Sequence, residues 1–390
     1  MSELYLRFYR MKQHLPKPIF FIIALGMAAC LATYWWLDTG DFDTGLGVFF
    51  SVLLACLPLP WLLSRPLALW RAAQQARPHG IELADRSVLT ELADAEILVV
   101  SRRGTITSGH PYLAETTPEG TSRASLLSMA AAAERQATHP IGRAIVQFAD
   151  KHQLKQPQPM MANELPGQGV ESMIQRITVR VGRPEWLQRE GIRLDAAHLT
   201  RIDQLSARGR QPILVTYDSY LRGTLVFDDD VSRDTIAAIH QLQDQGLAIY
   251  ILTADNQRLA NATQKKTQAD KAIGELTPAA KAQEVQNLRL AGQTVAVLVN
   301  EEKDALMLER ADAPLRNLTL PQVATLLPLS RKASHIIRQN HKFAIVATIL
   351  MLLPASGFLH VFGGPFLSPL IAVIILVVTT LLIFINSLRT

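Results

Sequence analysis

Cysteine is almost absent from this chain, with two residues in 390, Cys30 and Cys56. Both lie inside apolar stretches, so disulfides are not expected to shape the fold. Internal repeats and low-complexity tracts are missing as well. The basic residues are not interleaved with aromatics, so the formal charge of +5 does not describe a nucleic-acid surface and no nucleic-acid partner is expected. His110, His240, His341 and His360 are scattered without metal-ligand spacing, and no metal site is expected.

What the chain has in plenty is apolar length. Hydrophobic residues make up 48% of it, and four runs stand out, at 19–37, 46–63, 343–362 and 367–388. Each approaches the roughly 20 residues that carry a helix across the hydrocarbon core. The first run is long for a signal peptide, and an aspartate-rich turn at 38–43 leads from it directly into the second. Arg7, Arg10, Lys12 and Lys17 precede the first run, Arg65, Arg71 and Arg77 follow the second, and Arg331, Lys332, Arg338 and Lys342 precede the third. By the positive-inside rule, both termini and the large middle segment are expected in the cytoplasm. The reading is an integral protein of a bacterial inner membrane, with the lipid bilayer as partner. Residues 1–18 form a cytoplasmic segment, 19–64 the first two spans and 331–390 the last two.

Between the spans the texture changes. An apolar strand is predicted at 97–100. From Leu221 onward strands alternate with helices. A strand at 221–227 precedes a helix capped by Ser232, with Ile236, Ile239 and Leu242 on one face and Gly246 at its end. A strand at 247–252 follows, then a helix over 278–291 with proline in its first turn and Gly292 past its end, then a strand at 295–299. Such alternation predicts a parallel sheet covered on both faces. The strand at 97–100 lies far upstream of its fellows, so an insert over 110–218 must interrupt this domain. The insert has helices predicted at 122–137 and 141–152 and β segments at 177–181 and 213–217. Residues 65–109 then form a linker helix and the first part of the α/β domain, and 219–330 the second part.

Several short motifs run through this middle region. Residues 97–107 read Ile-Leu-Val-Val-Ser-Arg-Arg-Gly-Thr-Ile-Thr. Glu134 stands five residues before His139-Pro140, and Pro166-Gly167-Gln168-Gly169-Val170 and Val181-Gly182 follow. Thr253-Ala254-Asp255-Asn256 and Glu275-Leu-Thr-Pro-Ala-Ala-Lys281 complete the series. In order and spacing it resembles the heavy-metal-transporting branch of the P-type ATPases, as the carboxy-terminal part of such a protein and over nearly the whole chain. The resemblance implies a haloacid-dehalogenase-like, Rossmann-like α/β cytoplasmic domain with an α+β nucleotide-domain insert, beside a four-helix transmembrane region. It also implies ATP or another nucleotide as ligand, held at its base end by Glu134, His139, Gly167, Gly169 and Gly182, and metal-cation transport as the family's activity.

The residues that carry the family's chemistry are replaced. In the phosphorylation loop that the family writes DKTGTLT, Ser101 stands at the aspartate, Arg102 at the lysine and Arg103 at the first threonine, while Gly104, Thr105 and Thr107 match. Over the GDGxND stretch, Val299, Asn300, Glu301 and Lys303 stand at Gly, Asp, Gly and Asn, and Asp304 is kept. Thr253, Asp255, Asn256 and Lys281 also match. Phosphoryl transfer of this kind depends on an aspartate nucleophile, Mg²⁺ and positioned positive charge. A serine hydroxyl is a poor nucleophile without an adjacent base, and no histidine lies nearby in sequence. Mg²⁺ prefers hard anionic oxygens; positions 101 and 300 are neutral, so no Mg²⁺ is expected. In the membrane the family's Cys-Pro-Cys becomes Leu57-Pro58-Leu59, and the last helix carries Leu376, Thr379 and Thr380 at further family positions. Leucine offers a soft metal ion no ligand. The 18 residues before the first span leave no room for the family's actuator domain.

The expectation is therefore a catalytically inactive relative rather than an enzyme, a regulatory or interaction subunit with a membrane protein partner. Two readings of the insert stay open. Glu134, His139 and the glycines either retain a nucleotide or persist as fold determinants, with His139-Pro140 starting a helix and the glycines making turns. If a nucleotide is held, Arg102, Arg103, Lys281 and Lys303 would neutralise its phosphates without metal. The family position after Gly182, usually Asn, is Arg183. A competing class is a cation-transporting subunit completed by a partner's actuator domain, and a slow serine-based hydrolase is a third. Asp228, Asp229 and Asp230 resemble a cation site, weighed against a solvated strand end.

Overall fold

A computed structural model describes residues 18–165 and 167–389. They fall into two compact units, residues 18–93 with 328–389, and residues 94–327. The basic residues at positions 7–17 and Pro166 of the glycine loop lie outside the described residues.

Among the described residues four helical segments, in the first unit apart from residues 320–327, are long and apolar enough to cross a membrane, Ile19–Thr39, Phe42–His79, Leu320–Ala355 and Pro369–Ser387. The second is not one smooth rod. Helix Phe42–Ala55 stops, Cys56, Leu57 and Pro58 are not helical, and a new helix runs Leu59–Ala76. Proline cannot supply the N–H that a continuing helix needs, so the break falls at Pro58. The third helix ends at Ala355, short of the expected 362, and Gly357 follows with a left-handed φ of 80° against the Trp35 ring. Inside, Ala28, Trp35, Val48, Val52, Met351 and Ala372 pack together. The Trp35 indole donates to the Ser356 carbonyl at 2.8 Å, and the Ser51 hydroxyl to the Leu367 carbonyl at 2.8 Å. Such bonds satisfy polar groups that a bilayer leaves without water. Ile22, Leu37, Leu350 and Leu370 point outward, as a lipid-facing surface requires.

The second unit is built from two sheets. Its strands are, in chain order, β1 (Ile97–Ser101), β2 (Tyr112–Pro118), β3 (Met161–Leu165), β4 (Gly169–Ile174), β5 (Ile177–Gly182), β6 (Gln211–Tyr217), β7 (Tyr220–Asp228), β8 (Ala248–Leu252), β9 (Lys271–Ile273), β10 (Val295–Val299) and β11 (Ala313–Arg316). One sheet is parallel, in the order β11-β10-β1-β8-β9. Every residue of β1 and β10 is buried, the mark of a parallel sheet covered on both faces. The other sheet is antiparallel, in the order β2-β7-β6-β5-β4-β3. Helices Arg123–Glu134 and Pro140–Lys151 cover it through Leu126, Ala130, Ile145, Val179, Val215 and Phe227.

One strand changes sheets relative to the sequence expectation. The alternating pattern places 221–227 in the parallel layer; in the structure β7 pairs with β6 and β2 instead. Asp218 takes a left-handed φ of 52°, and Tyr217 faces Tyr220 across a two-residue hairpin. The turn that looks like a domain boundary is a hairpin tip. The antiparallel region therefore reaches Asp228 rather than 218. The chain re-enters the parallel layer through helix Arg233–Asp244, whose N-cap Ser232 accepts from the Thr235 N–H.

Candidate functional site

The loops that follow β1, β8 and β10 leave the carboxyl edge of the parallel sheet, where open α/β sheets bind their ligands. There they border a cavity of about 560 Å³ that extends to the antiparallel sheet. Arg102, Arg103, Thr253, Asp255, Lys281, Lys303 and Asp304 line one part; Glu134, His139, Gly167, Gly169, Gly182 and Arg183 line another.

Ser101, at the end of β1, donates its hydroxyl to Asp304 Oδ2 at 2.8 Å. Lys281 Nζ reaches both oxygens of the same carboxylate, at 2.9 and 3.0 Å. All three side chains are buried, and Ser101, 1% exposed, is not part of the cavity wall. The sequence expectation of no base beside Ser101 is corrected here. Asp304, distant in the chain, is adjacent in space, and its carboxylate is already shared with an ammonium group. Asn300 donates from Nδ2 to the carbonyls of Gly104 and Leu318, at 2.7 and 3.0 Å. An ionised aspartate has no hydrogen to give either carbonyl, so this position is built around the amide. Lys303 pairs with Glu301 at 2.5 Å.

Beside this group three guanidinium groups surround one carboxylate. Arg102 Nη1 meets Asp255 Oδ2 at 3.1 Å, and its Nε donates to the Thr263 hydroxyl. Arg103 Nη2 meets Asp255 Oδ1 at 2.7 Å and Gln211 Oε1 at 3.0 Å. Arg183 Nη2 meets the same Oδ1 at 3.3 Å, and its Nη1 donates to the Ala254 carbonyl at 3.0 Å. The Thr253 hydroxyl donates to Asp255 at 2.9 Å. Burial alone would raise the Asp255 pKa, but Arg103, Arg102 and Arg183 outweigh it and hold the carboxyl well below the usual range. Asp255 in turn pushes Arg103 upward, whereas burial lowers Arg183, with Arg103 adding to the effect. Asn256 is an N-cap, accepting from the Leu259 N–H at 2.8 Å. Asp229, from the acidic run, accepts from the hydroxyls of Thr107 and Ser108.

At the other part of the cavity, Glu134 Oε2 lies 3.0 Å from His139 Nε2. His139 Nδ1 accepts the Gly142 N–H at 3.0 Å and so caps helix Pro140–Lys151. In the neutral ring this bond leaves the proton on Nε2, the atom that faces the carboxylate, whereas the imidazolium form gives the bond up. Burial pushes the Glu134 pKa up; for His139 burial opposes the charge, but Glu134 outweighs it and the net shift is also upward. Gly169 and Gly182 face each other across β4 and β5, and a Cβ on either would collide with the Trp186 ring. Gly167 has open space around it and a φ of 76°.

The structure thus gathers Ser101, Asn300, Asp304 and Lys281 with Thr253 and Asp255, and brings Glu134, His139 and the glycines to the same cavity. Gln211 and Thr263 went unnoticed in the sequence. Arg183 stands out in the sequence only as an arginine where the resemblance implies Asn, and that added positive charge was the available signal.

The model of the haloacid dehalogenase-like hydrolases matches residues 103–312, more than half of the chain. A copper-exporting P-type ATPase of Vibrio cholerae is 26% identical over 373 residues, covering 91% of this chain and 41% of its own. One from Legionella pneumophila is 28% identical over 389 residues, with 95% and 53% covered. A silver exporting P-type ATPase of Salmonella typhimurium is 28% identical, with 94% and 47% covered. The chain spans about half the length of these relatives. The crystal structure of a zinc-transporting PIB-type ATPase in its E2.Pi state superposes with a TM-score of 0.64 at 23% identity, over 100% of this chain and 64% of its own. The catalytic CPx-ATPase domain CopB-B gives 0.51 at 20% identity, over 66% and 98%. The chain belongs to the haloacid dehalogenase-like hydrolase family, and its counterpart there is the C-terminal part of the heavy-metal P-type ATPases.

Proposed function

We propose that this protein is a catalytically silent, membrane-embedded relative of the metal-transporting P-type ATPases. It works as a regulatory or interaction subunit beside a membrane protein partner, in a bacterial inner membrane with its soluble unit and termini cytoplasmic. The observation that carries this reading is Ser101. The family's phosphate acceptor is a carboxylate; here the position bears a hydroxyl that is buried, off the cavity wall and committed to Asp304. Losing such a nucleophile costs on the order of 10⁶ in rate in other enzymes. The residues do not fit Mg²⁺ either. Asn300 turns an amide toward two carbonyls, and Asp255 and Asp304 are occupied by arginine and lysine. A nucleotide remains compatible with the cavity, whose volume suits a ligand of that size.

Acid-quench labelling of the purified protein with γ-³²P-ATP tests the reading. The expected result is background label and no ATP turnover; an acid-stable phosphoprotein overturns it. The names of the relatives, copper-exporting and silver exporting, favour a second reading, a cation-transporting subunit. That reading requires the label.

A further inference from the structure

Asp255 is surrounded by more positive charge than it balances. Arg102 is buried and sits on Oδ2 and the Thr263 hydroxyl, so Arg102 and Asp255 neutralise each other inside the core. Arg103 and Arg183 add charge beyond that pair, and the further acidic groups acting on them, Glu301 and Asp229 on Arg103 and Glu185 on Arg183, stand behind Asp255 in effect. Both reach Oδ1, Arg103 from the loop after β1 and Arg183 from the residue after β5. Their side chains keep 21% and 26% exposure, and both line the cavity. Two guanidinium groups sharing one carboxylate oxygen repel each other, and an anion placed between them removes that repulsion. Their planar forks suit phosphate oxygens bidentately.

We propose that the cleft is a metal-free polyphosphate site, in which Arg103 and Arg183 close on the phosphates of the ligand while Asp255 stays with Arg102. The inference rests on the reading that no phosphoryl transfer occurs here, and it adds the chemical state of the ligand. The two guanidinium groups supply the positive charge that a divalent ion would bring. A phosphate chain already carrying Mg²⁺ has less charge to offer the two guanidinium groups and sets a cation beside them. The bonds that must yield are Arg103 to Gln211 and Arg183 to the Ala254 carbonyl. Because the arginines come from different sheets, the bound anion also ties the antiparallel layer to the parallel one.

The full-length protein in nanodiscs, titrated calorimetrically, provides the test. Three probes are compared: ATP in EDTA, inorganic tripolyphosphate in EDTA, and ATP with excess Mg²⁺. Binding of metal-free anion, weakened about tenfold or more by Mg²⁺, is the expected result. ATP binding more tightly than tripolyphosphate assigns the site to nucleotides; equal binding assigns it to polyphosphate in general. Arg103→Ala and Arg183→Ala should each weaken binding roughly ten- to a hundredfold, the loss of one charge-assisted bond. Arg183→Lys should fall between, since a point charge lacks the fork. Salt should weaken the wild-type protein more than either alanine variant. The Mg²⁺ and salt comparisons need no variant, so they hold even if a substitution unfolds the protein. Strictly Mg²⁺-dependent binding, no binding of either anion, or unchanged affinity in both alanine variants overturns the proposal. Mg²⁺-dependent binding without phosphoprotein sinks this inference alone; a phosphoprotein sinks the reading beneath it.

Discussion

The two ends of the cavity differ in kind. At one end, Glu134, His139, Gly167, Gly169 and Gly182 stand where the sequence resembles the heavy-metal P-type ATPases, and most of them also have a packing duty. At the other, Ser101, Arg102, Arg103 and Asn300 stand where that resemblance implies other residues, and each is bonded into its surroundings. The serine holds Asp304, the two arginines hold Asp255, and the asparagine bridges two backbone carbonyls. The serine, the arginines and the asparagine Nδ2 are thus committed to neighbours, while Asn300 Oδ1 is buried without a hydrogen-bond partner. Without the Asn300 amide, the Gly104 and Leu318 carbonyls would lose the hydrogen bonds they accept from it, an expensive loss in the interior. This end is a polar core of mutually bonded side chains, and a substitution within it breaks bonds.

The largest effect should come from that core. Asp255→Ala leaves Arg102 buried without its partner, and breaking a buried pair in this way costs about 3–5 kcal/mol. Thermal unfolding of the protein measures it, and a shift no larger than a surface mutation gives would break the claim that this end is a bonded core. Next come single positions at each end. Asn300→Asp exchanges two donated hydrogen bonds for a carboxylate facing two carbonyls, with an expected loss of about 1–3 kcal/mol and no gain in acid-stable label. Gly182→Ala drives a methyl group into the Trp186 ring, at a cost of about 1–3 kcal/mol. If Gly182→Ala kept full stability and lost only ligand binding, the packing duty assigned to that end would fall.

How much of this was legible in the sequence depends on what each feature needs. β1, β8, β10 and the helices Arg233–Asp244 and Pro278–Leu290 follow from periodicity and caps, which are local. β7 does not, because a strand does not encode which sheet it joins, and the Asp218-Ser219 turn serves equally as hairpin or boundary. Pro58 was weighed as the centre of a lost ligand motif, while its plainer effect, a broken helix, decided the local structure. In the site, family spacing located Ser101, Asn300, Lys281 and Asp304. It gave no sign that Ser101 donates a hydrogen bond to Asp304, since that contact closes over a separation of 203 residues. Arg183 and Asp255 meet across 72 residues, from two different sheets, and nothing local to either announces the other.

The smallest predicted effect is in pH, where the two ends should carry opposite signs. Asp255 has a folded pKa below its unfolded value, so its stabilisation is present above the ordinary carboxylate range, about pH 4, and is lost as pH falls toward the folded value. Glu134 and His139 both have raised values. The Glu134 carboxyl therefore loses stability as pH rises from about 4 through its folded value. The contribution of His139 is complete below about pH 6.5 and is lost as pH rises through its own folded value, with Glu164 supporting the charge and Arg103 opposing it. Glu134→Gln should flatten the falling limb, by on the order of 1 kcal/mol, while Asp255→Asn should flatten the acid limb. Unfolding midpoints of the two variants across pH 3–9 separate the ends. Should Glu134→Gln change the acid limb instead, the Nδ1 cap on Gly142 rather than the carboxylate governs His139, and the base end is held by its helix start alone.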